Sequence, residues 1–335
     1  MLEDSSLKQL QHKKNLLAFS GGGDSTALFF LLLQNKISFD IAIVDYGVRK
    51  QSKQEVSYAQ ELACKYKLKC HIHNAPHFKN NFEASAREER YNFFEELIER
   101  YNYTNLLTAH HLGDRLEWML MQFCKGAGCV EMAGMQTMEQ RVNYILLRPL
   151  LHLGKEELLE YLHVGNIKYF EDESNLDQSL KRNRFRHQIA TPLLKEFKEG
   201  IKKSFEYIDE DKKQLLEEDI KVHTFDQLSY FKNTQNKRAN IHTIDKHLKN
   251  LGYMMSGKER ELLKTDTTVV LGRKYLVWQR DDLIFITPYF QESSIMPKEF
   301  KEECRVLKIE PKLRAFLYGH PQMFLKVKEL LDHSL

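Results

Sequence analysis

The sequence predicts an α/β fold: a parallel, twisted sheet flanked by helices, followed by a smaller α+β domain. Three observations predict it. Short apolar runs alternate with helix-patterned segments from Leu16 as far as Leu147. A glycine-rich turn, Ser20-Gly21-Gly22-Gly23-Asp24-Ser25, joins the first of these runs to the apolar helix-former Ala27-Leu28-Phe29-Phe30-Leu31-Leu32-Leu33. Beyond about Pro192 the alternation stops and a charged composition takes over. The expected division is a first domain over residues 1–200, then a helical linker and small α+β domain over residues 201–335.

The elements follow in order. Runs at Leu16 to Phe19, Ile41 to Val44, Cys70 to His73, Leu106 to Ala109 and Tyr144 to Leu147 have βαβ spacing. Their near-continuous apolar character suits parallel strands covered on both faces. Ser52 with Glu55 three residues later fits a capping box opening a helix through about Lys65, and Phe82 to Tyr101 has the period of a longer helix. From Pro192 to about Lys264 the pattern is helical and charged. Residues 268 to 287 read as paired strands with turns at Gly272 and at Asp281-Asp282.

With 42% hydrophobic and 29% charged residues in 335, this is the composition of a globular chain with room for two domains. No stretch approaches a membrane span, and Met1-Leu2-Glu3-Asp4-Ser5-Ser6 lacks the basic-then-apolar layout of a secretory signal. A cytoplasmic protein without a membrane partner is expected. Cys64, Cys70, Cys124, Cys129 and Cys304 form no Cys-x-x-Cys pair, so neither a zinc knuckle nor a disulfide framework is indicated. The net charge of +3 is unevenly spread. Residues 206–219 hold seven acids against two lysines, whereas residues 232–274, Lys237 and Arg238 among them, hold ten basic residues against four acids. A second basic cluster is Lys181, Arg182, Arg184, Arg186 and His187. Solvated helix faces account for any one of these stretches; together they suit a polyanion larger than a nucleotide.

Three consecutive glycines let backbone N–H groups turn toward an anion, and the helix N-terminus that follows adds partial positive charge. The ligand expected is a phosphate. A Walker loop needs lysine where Asp24 stands, and the third glycine of a dinucleotide fingerprint is Thr26 here. An acid inside an anion cradle makes sense if a cation binds too, since Mg²⁺ takes one or two carboxylates along with phosphate oxygens. In open α/β sheets ligands sit beyond the carboxyl ends of the strands. There the second strand places Asp45 and the fourth places His110 and His111, with Asp114 and Glu117 on one face of the helix that follows. Oxygen ligands of this kind suit Mg²⁺ better than zinc. The alternative for each histidine is capping or packing, and for Asp45 the capping of its turn.

The loop resembles the PP-loop of the N-type ATP pyrophosphatases, Ser-Gly-Gly-x-Asp-Ser, at every fixed position. A narrower resemblance, to the tRNA(Ile)-lysidine synthetases, covers about the first 195 residues. It is carried in order by Val44-Asp45-Tyr46-Gly47-Val48-Arg49, Ala86-Arg87-Glu88-Glu89-Arg90-Tyr91, and Thr108-Ala109-His110-His111 with Asp114 and Glu117. The closing block is Leu147-Arg148-Pro149-Leu150-Leu151, Glu171-Asp172-Glu173-Ser174-Asn175 and Arg182-Asn183-Arg184-Phe185-Arg186. The resemblance implies a Rossmann-like PP-loop domain that uses ATP and Mg²⁺ to join free L-lysine to C2 of the wobble cytidine in the CAU anticodon of tRNA(Ile). It implies ATP at Ser20, Gly21, Gly22, Gly23, Asp24, Ser25, Asp45 and His110, and Mg²⁺ on Asp24 and Asp114. Arg182 and Arg186 would clamp phosphates, with helix capping or tRNA backbone contact as the alternative. Arg87 and Arg90, three apart on one helix face, would contact substrate phosphate or else pair with neighbours such as Glu83 and Glu89, while Lys237 and Arg238 belong to the basic stretch expected to meet substrate RNA. The oligomeric state stays open, a homodimer included.

Departures are visible. Tyr46 replaces the family's histidine, Gly113, Arg115 and Trp118 stand where many relatives carry Asp, Gln and Thr, and the match of the C-terminal region, centred on Ser256-Gly257-Lys258-Glu259 and the strands after it, is loose. Two rival readings remain. A 2-thiocytidine enzyme shares the His-His-Asp pattern but needs paired cysteines that are missing here; a non-catalytic RNA-binding relative would not need Asp24 and Asp114.

Overall fold

The computed structural model describes residues 1–47, 51–78, 82–171, 181–216, 220–280, 282–291 and 296–332. Val48-Arg49, Asp172-Glu173-Ser174-Asn175 and Asp281 lie outside the described residues. Two compact units divide the chain, Met1–Lys212 and Lys213–Leu335.

In the first unit the order is α1 (Asp4–Leu10), β1 (Asn15–Ala18), α2 (Gly23–Gln34), β2 (Phe39–Asp45), α3 (Ser52–Tyr66), β3 (Cys70–Asn74) and α4 (Phe82–Tyr101). Then come β4 (Asn105–Leu107), α5 (Leu112–Phe123), α6 (Cys129–Met132), β5 (Met138–Gln140), β6 (Ile145–Leu147), α7 (Lys155–Val164), α8 (Lys181–Phe185), a π-helical turn at Arg186–Ala190, and α9 (Thr191–Leu215). The sheet order is β3-β2-β1-β4-β6-β5, parallel throughout except for β5 against β6. Adjacent residues of one strand serve opposite layers. Leu17, Ile41 and Leu107 pack with Leu28, Phe29 and Leu158, while Leu16, Ala42 and Leu106 pack with Phe94, Leu97 and Ile98. Both faces are covered, which is why the strands read as unbroken apolar runs.

Two expectations need correction here. Helix α3 begins at Ser52 itself and its cap is Gln51, whose Nε2 donates to Glu55 Oε1 (3.3 Å), so Ser52 and Glu55 do not form the expected capping box. Strand β5 was not anticipated: Met138-Glu139-Gln140 is polar because it edges the sheet, with Met138 and Gln140 exposed.

The second unit holds β7 (His223–Phe225), β8 (Leu228–Lys232), α10 (Lys237–Asn250), α11 (Gly257–Thr265), β9 (Thr268–Leu271), β10 (Tyr275–Gln279), β11 (Leu283–Pro288), α12 (Lys298–Val306), α13 (Pro311–Gly319) and α14 (Pro321–Asp332). Its antiparallel sheet runs β7-β8-β11-β10-β9. Leu276, Trp278 and Phe285 pack on α12 to α14 through Cys304, Phe316 and Val327, whereas Val277, Ile284 and Ile286 pack on α10 and α11 through Ile244, Leu248 and Leu263. Gly272 and Arg273 both take positive φ (52° and 55°) in the turn closed by Lys274 N–H donating to Leu271 O (2.9 Å). The hairpin β7–β8 corrects the expectation of an all-helical stretch from Pro192 to Lys264.

Candidate active site

The chain leaves β1 outward to β2 and β3, then returns to β4 on the other side of β1. Loops after β1 and β4 therefore diverge and open a crevice at the switch point. Into it, after β1, comes the Ser20–Ser25 loop. Gly21 has φ +75°, a value that favours glycine. The loop is braced internally: Ser25 Oγ accepts from Ser20 N–H (3.2 Å) and donates to Gly22 O (3.1 Å), and Thr26 Oγ1 donates to Gly21 O (3.3 Å). From outside, Phe170 N–H donates to Gly21 O (2.9 Å) in an isolated parallel bridge. Gly22 caps α2 and brings no side chain to its amides, so the first turn presents N–H groups to an anion. Asp24 stands in that turn. Its Oδ1 is buried with no hydrogen-bond partner among the described residues.

After β4, the chain enters α5 through His111, which caps the helix. Gly113 N–H donates to His111 Nδ1 (3.0 Å) and His111 N–H donates to Asp114 Oδ2 (3.1 Å), a reciprocal box that uses histidine in place of serine. A Cβ on Gly113 would lie 2.7 Å from His111 Cε1, so glycine at this position is what lets the ring fold back. With Nδ1 accepting, the network assigns the ring proton to Nε2, which stands 3.6 Å from Asp114 Oδ2 and 3.8 Å from Asp24 Oδ2. The two strand-end motifs meet across this imidazole.

Two guanidiniums close the far side. Arg182 donates from Nη2 to Asp114 Oδ1 (2.8 Å) and from Nε to Glu117 Oε2 (3.0 Å). Arg186 donates from Nε to Glu117 Oε1 (2.6 Å) and from Nη2 to Asp114 Oδ1 (3.3 Å). Glu117 is 2% exposed, so its carboxylate depends on these partners for solvation. Burial alone would raise the Asp114 carboxyl; His111, His110, Arg182 and the His111 amide together hold it well below the usual range. Burial also pushes His110 down to about 4, helped by Arg148, Arg182 and Arg87 against the opposing pull of Asp114. His110 is accordingly neutral near pH 7, with Nδ1 sharing a hydrogen bond with Thr108 Oγ1 (2.9 Å).

The depressed His110 couples to folding. Between the ordinary value of 6.5 and about 4 the unfolded chain binds the extra proton and the folded one does not, so this stabilisation is present above pH 6.5 and is lost as pH falls through 4. A His110→Gln variant should lose less stability than wild type over that window, by up to about 3 kcal/mol. Urea midpoints at pH 7 and pH 4.5 check it; identical losses would remove His110 as a source of acid sensitivity.

The remaining candidates lie as follows. Asp45 Oδ1 accepts from Gly47 N–H (2.8 Å), an Asx turn at the end of β2, and Tyr46 donates to Ala86 O (3.1 Å). Arg87 lies over the Tyr91 ring, 4.8 Å from its centroid, and Arg90 is half-buried near the Tyr46 hydroxyl. Arg148 is buried and holds β5 by donating to Gln136 O (2.8 Å) and Glu139 Oε2 (3.0 Å). Arg115 bonds Ala133 O and pairs with Asp209, a bracing role. Lys237 and Arg238, in the second unit, are exposed on the first turn of α10. Sequence spacing did point to Asp114 and Glu117 sharing a face; their engagement by Arg182 and Arg186 carried no local signal.

Among the described residues no three or more His, Cys, Asp or Glu side chains form a ready metal cluster, and no helix is long and apolar enough to cross a membrane. Mg²⁺ does not need such a cluster, because phosphate and water supply most of its shell. The orphaned Asp24 Oδ1 fits such an ion.

Comparison with known proteins adds the following. Residues 3–193 match the family described as the PP-loop domain. The tRNA(Ile)-lysidine synthase of Wolinella succinogenes is 46% identical over 312 residues, covering 93% of this chain and 94% of that protein. Those of Campylobacter jejuni and Helicobacter pylori are 42% and 41% identical, covering 95% and 96% of this chain and 97% and 93% of theirs. Among solved structures, the U34-tRNA thiolase NcsA from Methanococcus maripaludis superposes with a TM-score of 0.52 at 17% identity, over 62% of this chain and 76% of that one, a likeness of fold.

Proposed function

The chain belongs to the tRNA(Ile)-lysidine synthase family of PP-loop proteins, and on that premise we propose that it is an ATP-dependent ligase that forms lysidine on tRNA(Ile). The finer reading is that free L-lysine is joined to C2 of the wobble cytidine of a CAU anticodon. A carbonyl oxygen on a pyrimidine is a poor leaving group. Adenylation of O2 by the α-phosphate of ATP releases pyrophosphate and makes AMP the leaving group, after which the lysine ε-amine attacks C2.

The observation that carries this reading is the meeting of the Ser20–Ser25 loop with the Asp114 helix at the switch point, through His111 at 3.8 Å and 3.6 Å from the two aspartates. In the proposed mechanism the first-turn amides of α2 hold pyrophosphate as it departs. Asp24 and Asp114 are the proposed residues for Mg²⁺, which supplies neutralising charge at the phosphates. Asp24 has the stronger support, since both Asp114 oxygens already accept hydrogen bonds from His111 and the arginines. Neutral His110 and the Asp45 turn lie at the same sheet edge and are proposed nucleotide contacts. Arg182 and Arg186 carry fixed positive charge to the crevice, able to exchange a carboxylate for a phosphate oxygen. The first unit is thus proposed as catalytic and the second as RNA-binding.

The test is incubation with ATP, radiolabelled lysine and a CAU-anticodon isoleucine tRNA. Lysine incorporation is expected; ATP binding without incorporation would sink the reading. Charge reversal at both Lys237 and Arg238 should weaken tRNA binding and flatten its salt dependence by a slope of about two, leaving ATP affinity alone. Filter binding across a salt series checks it, and an unchanged slope would remove this face from the tRNA surface.

A further inference from the structure

Helix α5 is buried at every residue from Leu112 to Glu117 and then presents Trp118, 45% exposed. An indole left open to water normally moves, but this one is held. Its Nε1 donates to Glu131 O (3.3 Å), and Gly134, at φ +59°, passes so close to the ring that a Cβ there would lie 2.4 Å from Cδ1. The supporting segment is itself fixed, because Arg115 donates from both Nε (3.3 Å) and Nη2 (3.1 Å) to Ala133 O. Trp118 follows Asp114 by four positions, which puts it on the same side of the helix about 6 Å further along the axis.

We propose that Trp118 is a stacking platform for an unpaired base of the RNA substrate, next to the reacting nucleotide. The proposal rests on the function proposed above. A base drawn into a site for chemistry leaves its neighbour with an uncovered face, and a rigid aromatic ring one helical turn from the site is what replaces the lost stack. The indole is oriented in advance, so little of the stacking energy goes into ordering it. Trp118 is a positioning residue here, since it touches no reacting atom.

Trp278, the other tryptophan, is buried against Phe285 in the second unit, and the Trp118→Phe variant separates its emission from that of Trp118. Titrating the full-length protein with anticodon stem-loop RNA should quench emission, and Trp118→Phe should abolish that quenching. Steady-state lysine incorporation should show KM for tRNA raised about tenfold in Trp118→Leu and about threefold or less in Trp118→Phe, with kcat changed far less than KM. RNA that binds without quenching, together with an unaltered KM in Trp118→Leu, would overturn the proposal and leave Trp118 as packing on Gly134. If the wild type neither binds this RNA nor incorporates lysine, the function proposed above fails and the stacking role falls with it.

Discussion

Asp24→Ala should reduce lysine incorporation on the order of a thousandfold while the protein stays folded. The two halves of this expectation have separate causes. Removing the carboxylate takes away the one buried oxygen of the crevice that lacks a hydrogen-bond partner among the described residues, so no folded contact of Oδ1 is lost. An acid in the first helical turn contributes up to about 2 kcal/mol through the helix dipole, and Asp24 Oδ2 lies 3.8 Å from His111 Nε2. Thermal melting beside initial rates checks both halves. Retained turnover would remove Asp24 from any metal or phosphate role; collapse of the fold would mean that its interaction with His111 is structural.

Glu117→Ala is expected to lower stability as well as activity. Glu117 accepts from Arg182 Nε and from Arg186 Nε and Nη2, and at 2% exposure it has little water to turn to. Its loss leaves two guanidiniums facing one remaining carboxylate in a buried place. Breaking such a buried pair costs about 3–5 kcal/mol, reduced here to about 2–4 because the Arg182 side chain is 40% exposed and can turn to solvent. The thermal midpoint should fall by about 5–10 °C. Glu117→Gln keeps one acceptor oxygen but turns its NH2 toward the other guanidinium, and should recover less than half of that fall without recovering the rate. Equal stability of wild type and Glu117→Ala would show that the arginines find other partners at no cost.

What could be read in the sequence was whatever depends on neighbours along the chain. The strands around Leu16, Ile41, Cys70, Leu106 and Tyr144 announced themselves because burial on both faces demands unbroken apolar runs. The loop and its aspartate announced themselves because three glycines in a row have few other uses. Edge positions did not: Met138 to Gln140 and His223 to Phe225 are mostly exposed, so their pairing leaves no apolar signature. Nor did the capping of α5 by His111, which needs Gly113 to admit the ring, or the junction of Asp114 and Glu117 with arginines more than sixty residues away. Side-chain pairs of that separation are properties of the assembled fold.

One small contact has a consequence for how the molecule is made. The bridge from Phe170 N–H to Gly21 O, supported by Tyr58 donating to Lys168 O (2.6 Å) and Gln51 to Glu171 O (3.0 Å), ties the phosphate loop to chain that is synthesised much later. A nascent chain on the ribosome holds the loop residues and all of α2 long before it holds the segment that closes over Gly21. Contacts of such long sequence separation form late, after loop-closure entropy has been overcome elsewhere. Nucleotide capture during translation should therefore begin only after Phe170 has emerged, and a nascent chain arrested before that point would carry the whole glycine loop without its outer brace.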